Sequence, residues 1–136
     1  MKTPDEVLSA MMARDRFSQW LGLSVDAMGP GYCRLHYTVR EEFLNGHDIL
    51  HGGVVFSAAD SAFAFACNSH GRVAVALDVS ITYARPGFLG QRLSVEAVEV
   101  HLGNKTSIYD IRTTNEAGEL LALFKGTAYR TSVEVQ

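Results

Sequence analysis

The spacing of apolar and polar positions changes character along the chain, and each change marks an element. Val7, Leu8, Met11 and Met12 recur at helical spacing behind Thr3 and Pro4, which suit a helix start. Phe17, Trp20 and Leu21 continue that face, so a short N-terminal helix is expected over residues 4–20. After Gly22 the period shortens to two. Leu23 and Val25 lead into Gly29-Pro30-Gly31, after which Cys33, Leu35, Tyr37 and Val39 alternate with Tyr32, Arg34, His36 and Thr38. This pattern predicts a hairpin with the Gly-Pro-Gly as its turn. Residues 40–51 follow neither period, contain Asn45-Gly46, and read as a loop.

From about residue 53 to residue 69 almost every position is apolar or small. A helix that is apolar all round is buried, and one of this length would run ~25 Å, enough to cross a small domain. Alternation returns over residues 73–83, 92–102, 107–115 and 120–130, with turn signals at Pro86-Gly87, Gly103-Asn104 and Ala117-Gly118. The short connections predict an antiparallel meander for the last three strands. One long buried helix with about five to six strands gives an α+β fold in which a curved sheet wraps the helix. With 136 residues and no internal repeat, the chain reads as a single domain over residues 1–136.

Composition excludes more than it identifies. Apolar residues at 47% and charged residues at 20% are ordinary for a folded domain. A net charge of −3 with interspersed signs offers no basic stripe, so no nucleic-acid partner is expected. Asp60 interrupts the longest apolar run, so no membrane span is expected either. Asp5 and Glu6 are unlike the basic start of a signal peptide, and a cytoplasmic location is expected. Cys33 and Cys67 fall at expected core positions and read as two inert thiols.

Asp60 is the residue that composition does not explain. Burying an ionised carboxylate without a partner costs on the order of several kcal/mol. Phe56, Phe63, Ala64 and Cys67 lie within one or two turns on its side, which leaves no polar stripe for it to join. A functional acid in a cleft or interface is therefore expected. Gly52-Gly53 opens the same helix, where the first N–H groups lack intrahelical partners and carry partial positive charge. Glycine lets a substrate approach that backbone closely. An amide that polarises a carbonyl and a carboxylate in dry surroundings are the parts acyl transfer needs.

Other chemistries fit less well. His47-Asp48-Ile49-Leu50-His51 has the outline of a zinc-protease motif, but Asn45-Gly46 before it and Gly52-Gly53 after it deny the regular helix that would bring both rings to one side. No metal site is expected. Ser57 and Ser61 lie near Asp60 without a Gly-x-Ser-x-Gly elbow.

Asn45, His51-Gly52-Gly53, Ala59-Asp60-Ser61-Ala62 and Cys67-Asn68-Ser69 together resemble the signature of hotdog-fold acyl-CoA thioesterases, in particular the PaaI type of phenylacetate degradation. The likeness runs from Leu21-Gly22-Leu23 through Tyr83-Ala84-Arg85-Pro86-Gly87 to residues 122–127. The resemblance implies a hotdog fold, a homodimer with active sites at its interface, and a dimer of dimers. It implies hydrolysis of an acyl-CoA thioester, with an aryl or arylacetyl group such as hydroxyphenylacetyl; CoA is then part of the substrate and no cofactor is implied.

Matched residue by residue, Gly52 supplies the N–H that polarises the thioester carbonyl. Asp60 from the opposite protomer is base or nucleophile, and Asn45 and His51 orient water, Asp60 or the thioester. Gly53 and Ser61 join the substrate contacts, and Asn68 and Ser69 line the acyl pocket or interface. Tyr83, the Arg85-Pro86-Gly87 turn and the Asn104-Lys105-Thr106 turn contact CoA. Phe56, Phe63 and Phe65 offer an apolar lining as well as core packing. Asp48 departs from the small residue expected in this loop. Two other functions share the architecture: an acyl-CoA hydratase or dehydratase that pairs His51 with an acid, and a non-catalytic acyl-CoA-binding module that needs the pocket but not Asp60.

Overall fold

The structure, a computed structural model, describes residues 1–136. Helix α1, Pro4–Met12, begins with a capping box: the Thr3 hydroxyl accepts the Glu6 N–H and the Glu6 carboxylate accepts the Thr3 N–H. The N-terminal stretch is two helices rather than one. Asp15 caps α2, Arg16–Leu21, by accepting from the Ser18 N–H, and Gly22 ends it at a φ of 73°. The break has a local cause, because an Asp side chain offers the backbone a cap in place of another helical turn.

The remaining elements are β1 (Ser24–Gly29), β2 (Tyr32–Thr38), a 3-10 turn (Glu41–Phe43), α3 (Gly52–Asn68), β3 (Arg72–Tyr83), β4 (Arg92–Leu102), β5 (Thr106–Thr114) and β6 (Leu120–Glu134). The six strands form one antiparallel sheet in the order β1-β2-β4-β5-β6-β3. The α+β expectation, the hairpin and the β4-β5-β6 meander are all present. Two pairings join segments far apart in sequence: β2 pairs with β4, and β3 crosses the sheet to pair with β6 at the opposite edge.

One face of this sheet covers α3, which packs on β2, β3, β4, β5 and β6. The inward residues Cys33, Leu35, Val95, Ala97, Ile111 and Phe124 are fully buried against Ala58, Ala62, Phe65 and Ala66 of the helix. Phe63 packs against Tyr109 and Phe124 with ring centroids 5.7 and 5.9 Å away. Gly126 makes room for it, since a Cβ there would lie 2.8 Å from the Phe63 ring. Each such aromatic contributes about 1.5–3 kcal/mol by leaving water. The helix carrying Asp60 is thus a rigid rod, held along most of its circumference.

The last strand in the sheet, β3, is long and open. It bonds only to β6, and Val75 and Leu77 are 51% and 62% exposed, with Val79 and Ile81 half-buried beside them. Between Val73 and Tyr83 its one charged residue is Asp78. An apolar strand with an unpaired edge is a template for pairing with another strand.

Candidate active site

The loop ahead of α3 is held by Asn45, whose Oδ1 accepts from the N–H groups of His47 at 2.9 Å and Ile49 at 3.3 Å. This turn puts Asp48 at a φ of 58°, in the left-handed region that Asp tolerates better than most non-glycine residues. The departure from a small residue at this position is accommodated in that way. The same turn separates His47 from His51, which are not on a common helix. With Oδ1 engaged, Asn45 has its amide Nδ2 left to offer.

His51 caps α3, and its Nδ1 accepts the Gly53 N–H at 2.8 Å. The two glycines are therefore not equivalent. Gly53 spends its donor closing the cap, whereas the Gly52 N–H has no partner in the chain. Because Nδ1 accepts, the neutral His51 ring carries its proton on Nε2, a tautomer assigned from that bond. Tyr83, at the end of β3, donates from its hydroxyl to the Gly52 carbonyl at 3.0 Å.

A pocket of about 320 Å³ opens beside this turn, lined among others by Asn45, Gly52, Tyr83, Arg85, Pro86 and Gly87. Gly87 is needed for close packing, since a Cβ there would lie 2.9 Å from Leu50, whose N–H donates to the Gly87 carbonyl. Arg85 at the rim pairs with Glu119 at 3.1 Å, both exposed. Such a pair is worth about 0–1 kcal/mol and yields readily to another anion. A larger groove of about 520 Å³ lies between α1, α2 and β1, but it is mostly aliphatic and has no titratable lining residue.

Asp60 sits on the uncovered stripe of α3 with Gly53, Phe56, Ser57 and Ala64. Phe63 and Cys67 turn into the core instead, so the stripe differs from the one expected: it includes Ser57, whose hydroxyl donates to the Gly53 carbonyl at 2.7 Å. The Asp60 carboxylate makes no hydrogen bond or ion pair within the chain. Burial holds its pKa above the usual carboxylate range, and the nearby negative charge of Asp15 adds to the effect. Asp60 lies eight residues beyond Gly52, a rise of ~12 Å along the helix. A single carbonyl carbon, with groups placed ~3 Å from it, cannot meet both in one chain.

Three of the residues expected at the substrate are buried within the chain. The Ser61 side chain turns inward, away from the open stripe: its Oγ is buried 2.7 Å from the Ser18 Oγ, which donates to Asp15 at 2.6 Å. Asn68 does not line a pocket. Its Nδ2 donates to the carbonyls of Ala64 and Ala74, and its Oδ1 accepts the Ala74 N–H, splicing the end of α3 to the start of β3. Ser69 is likewise buried, donating to the Ala66 carbonyl and accepting the Gly31 N–H. These side chains supply partners that a helix end otherwise lacks. Phe65 is wholly in the core with Phe63, and only Phe56 keeps partial exposure next to Asp60.

The Asn104-Lys105-Thr106 turn is tied by the carbonyls of Asn104 and Lys105 to Arg72 and Arg130. Arg72 begins β3 and Tyr83 ends it, so within one chain this turn and Gly52 lie at opposite ends of the sheet. Burial pushes the Cys33 and Cys67 thiols up to about 12, which makes both poor nucleophiles. Asp15, whose charge acts on Asp60, is not among the residues expected at the site, although Asp15-x-x-Ser18 is a legible cap signal. No helix is long and apolar enough to cross a membrane.

The sequence profile described as the thioesterase superfamily matches residues 47–122, more than half of the chain. Acyl-coenzyme A thioesterase PaaI of Escherichia coli is 42% identical over 121 residues, covering 89% of this chain and 86% of that protein. Its solved structure, described as coming from the phenylacetic acid degradation operon, superposes with a TM-score of 0.95 at 38% identity over 98% of this chain and 96% of that one. Human acyl-coenzyme A thioesterase 13 is 30% identical over 128 residues, 91% of each chain. A Streptococcus mutans protein solved bound to acetyl CoA superposes with a TM-score of 0.80 at 28% identity, covering 82% of this chain and 90% of that one.

Proposed function

We propose a reaction for a chain that belongs to the thioesterase superfamily and is a thioester hydrolase of the hotdog fold: it cleaves acyl-CoA to a free acid and CoA at a site shared by two copies. The observation that carries the proposal is the separation of two unsatisfied groups on one helix. Gly52 presents a free N–H and Asp60 an unpaired, half-buried carboxylate, ~12 Å apart along α3. A second copy, paired antiparallel along the open β3 edge, would bring its own Asp60 to the first chain's Gly52.

In the proposed site the thioester oxygen accepts from the Gly52 N–H, at the positive end of α3, which stabilises the oxyanion as it forms. Asp60 of the partner either takes the proton of an attacking water or attacks the carbonyl carbon itself, and both routes need the same geometry. The carbon–sulfur bond then breaks and CoA leaves. On the base route its sulfur takes the proton that Asp60 removed from water, and the acid is released at once. On the nucleophile route the sulfur takes a proton from solvent, and a water then cleaves the acyl–Asp60 anhydride, releasing the acid and restoring the carboxylate. Asn45 Nδ2 and His51 Nε2–H are donors for the water or the thioester. No cofactor enters.

The pocket beside Gly52, rimmed by Arg85, Pro86 and Gly87, takes the pantetheine and nucleotide, with Arg85 exchanging Glu119 for a phosphate. Antiparallel edge pairing sets the start of one β3 beside the end of the other, so the partner's Asn104-Lys105-Thr106 turn would reach the same side. Phe56, partly buried one turn from Asp60, is suited to an aryl or arylacetyl group, as in hydroxyphenylacetyl-CoA. The dimer would pair again into a dimer of dimers. With two free cysteines and no spanning helix, we place its work in the cytoplasm.

The hydratase reading needs His51 as a base, and its Nδ1 is already committed to Gly53. A binding module would leave the unpaired Asp60 without a use. A panel of aryl, arylacetyl and straight-chain acyl-CoA substrates, followed by free-thiol release, tests the proposal. Thiol release fastest with arylacetyl groups supports it; CoA binding without release, or water addition without release, contradicts it.

A further inference from the structure

The amide that would grip the thioester belongs to glycine, the residue least able to hold its own backbone angles. Its surroundings supply what it lacks. The following peptide group, from the Gly52 carbonyl to the Gly53 nitrogen, is fixed at both ends: Tyr83 Oη donates to the carbonyl at 3.0 Å, and His51 Nδ1 accepts the N–H at 2.8 Å. The Tyr83 ring also flanks the Gly52 α-carbon. A Cβ at that position would lie 3.3 Å from the ring carbon bearing the hydroxyl and 3.4 Å from the hydroxyl itself.

These two restraints arrive from different elements. His51 is adjacent in sequence and comes with the cap, whereas Tyr83 reaches across from the last position of β3, 31 residues away. The side chain is half-exposed, and its ring packs on the helix opening rather than in the core. Fold stability alone gives little reason for a hydroxyl at this position.

We propose that Tyr83 is a positioning residue for the hydrolysis: by donating to the Gly52 carbonyl it holds the first turn of α3 so that the free Gly52 N–H stays aimed at the thioester oxygen. This rests on the reading of Gly52 as the carbonyl-polarising donor. The ground-state thioester oxygen binds a hydrogen-bond donor weakly, and the oxyanion binds it strongly, so misaiming that donor penalises the transition state more than the substrate. Displacements on the order of 1 Å suffice for large rate losses.

The test is Tyr83→Phe, which keeps the ring and removes only the hydroxyl, assayed in parallel with Asp60→Asn on the same acyl-CoA. Tyr83→Phe should lower kcat about tenfold, less than the 10²-fold or more of losing an oxyanion donor outright. KM and Tm should stay at the wild-type values. In amide hydrogen exchange, Gly53 should lose protection in this variant while the core strands do not. Wild-type kcat in Tyr83→Phe, with Asp60→Asn inactive, overturns the role of Tyr83 and leaves the site standing. An active Asp60→Asn enzyme overturns the site reading itself. A loss confined to KM would make Tyr83 a substrate contact and overturn the positioning role.

Discussion

The hydroxyls of Ser18 and Ser61 lie 2.7 Å apart, buried between α2 and α3. Through Ser18 this bond continues to Asp15, the cap of α2, and so fixes a second carboxylate near Asp60, the residue that precedes Ser61. The cap of α2 thus adds a negative charge to the surroundings of the proposed catalytic acid, on top of the larger effect of burial.

The first prediction follows from that arrangement. As base or nucleophile Asp60 must be ionised, so activity falls as pH drops through its raised pKa. Asp15→Asn removes a negative neighbour and keeps the cap, because Asn caps as well as Asp. The acidic limb of the kcat/KM profile should move to lower pH, with the neutral plateau unchanged. A pH–rate series on both proteins checks this, and a limb that stays in place removes Asp15 from the account.

The second concerns stability. The folded chain holds the Asp60 proton to higher pH than the unfolded chain does, chiefly because of burial. That contribution is present below the unfolded carboxylate pKa and is lost as pH rises through the folded value. Asp60→Asn cannot ionise and escapes the loss. Its Tm should exceed that of the wild type at pH 7, and the gap should close toward pH 4, while turnover falls by orders of magnitude. Calorimetry across that range would read a constant or inverted gap if the carboxylate were instead stabilised by a partner.

Asn68 supplies a third. Asn68→Ala orphans the Ala74 N–H and carbonyl in the interior, at about 1–3 kcal/mol for each group left unpaired. Denaturant unfolding should show the loss, while kcat per folded molecule and acyl selectivity stay near wild type. A changed acyl preference with intact stability would restore Asn68 to the pocket.

Much of the architecture was legible because periodicity is a local signal. The span of α3 and the meander came from runs of apolar spacing and turn residues, and the boundaries of β4 coincide with those read from sequence. Asn45, Gly52, Tyr83, Arg85, Pro86 and Gly87 were read from separate segments, and one pocket gathers them. What stayed hidden depends on long-range pairing or on direction around the helix. The crossing of β3 to β6, which leaves an apolar edge open, has no local signature. On a helix where nearly every residue is apolar or small, the pattern does not say which side faces out. Sequence spacing alone therefore does not show that Ser61 and Asn68 are bonded inside the chain, or that Phe63 and Cys67 face the core rather than the side of Asp60.

The central claim is that each site takes Gly52 from one protomer and Asp60 from another, and subunit mixing tests it most directly. Asp60→Asn and Gly52→Val homodimers, each verified as folded and dimeric, should both be inactive. Unfolded together in equal amounts and refolded, half the dimers are mixed, and each mixed dimer carries both lesions in one site and neither in the other. About a quarter of wild-type activity should return, since about half of all dimers would hold one intact site of two. A refolded mixture that stays as inactive as its parents would mean that both residues act within a single chain, and would contradict the shared site.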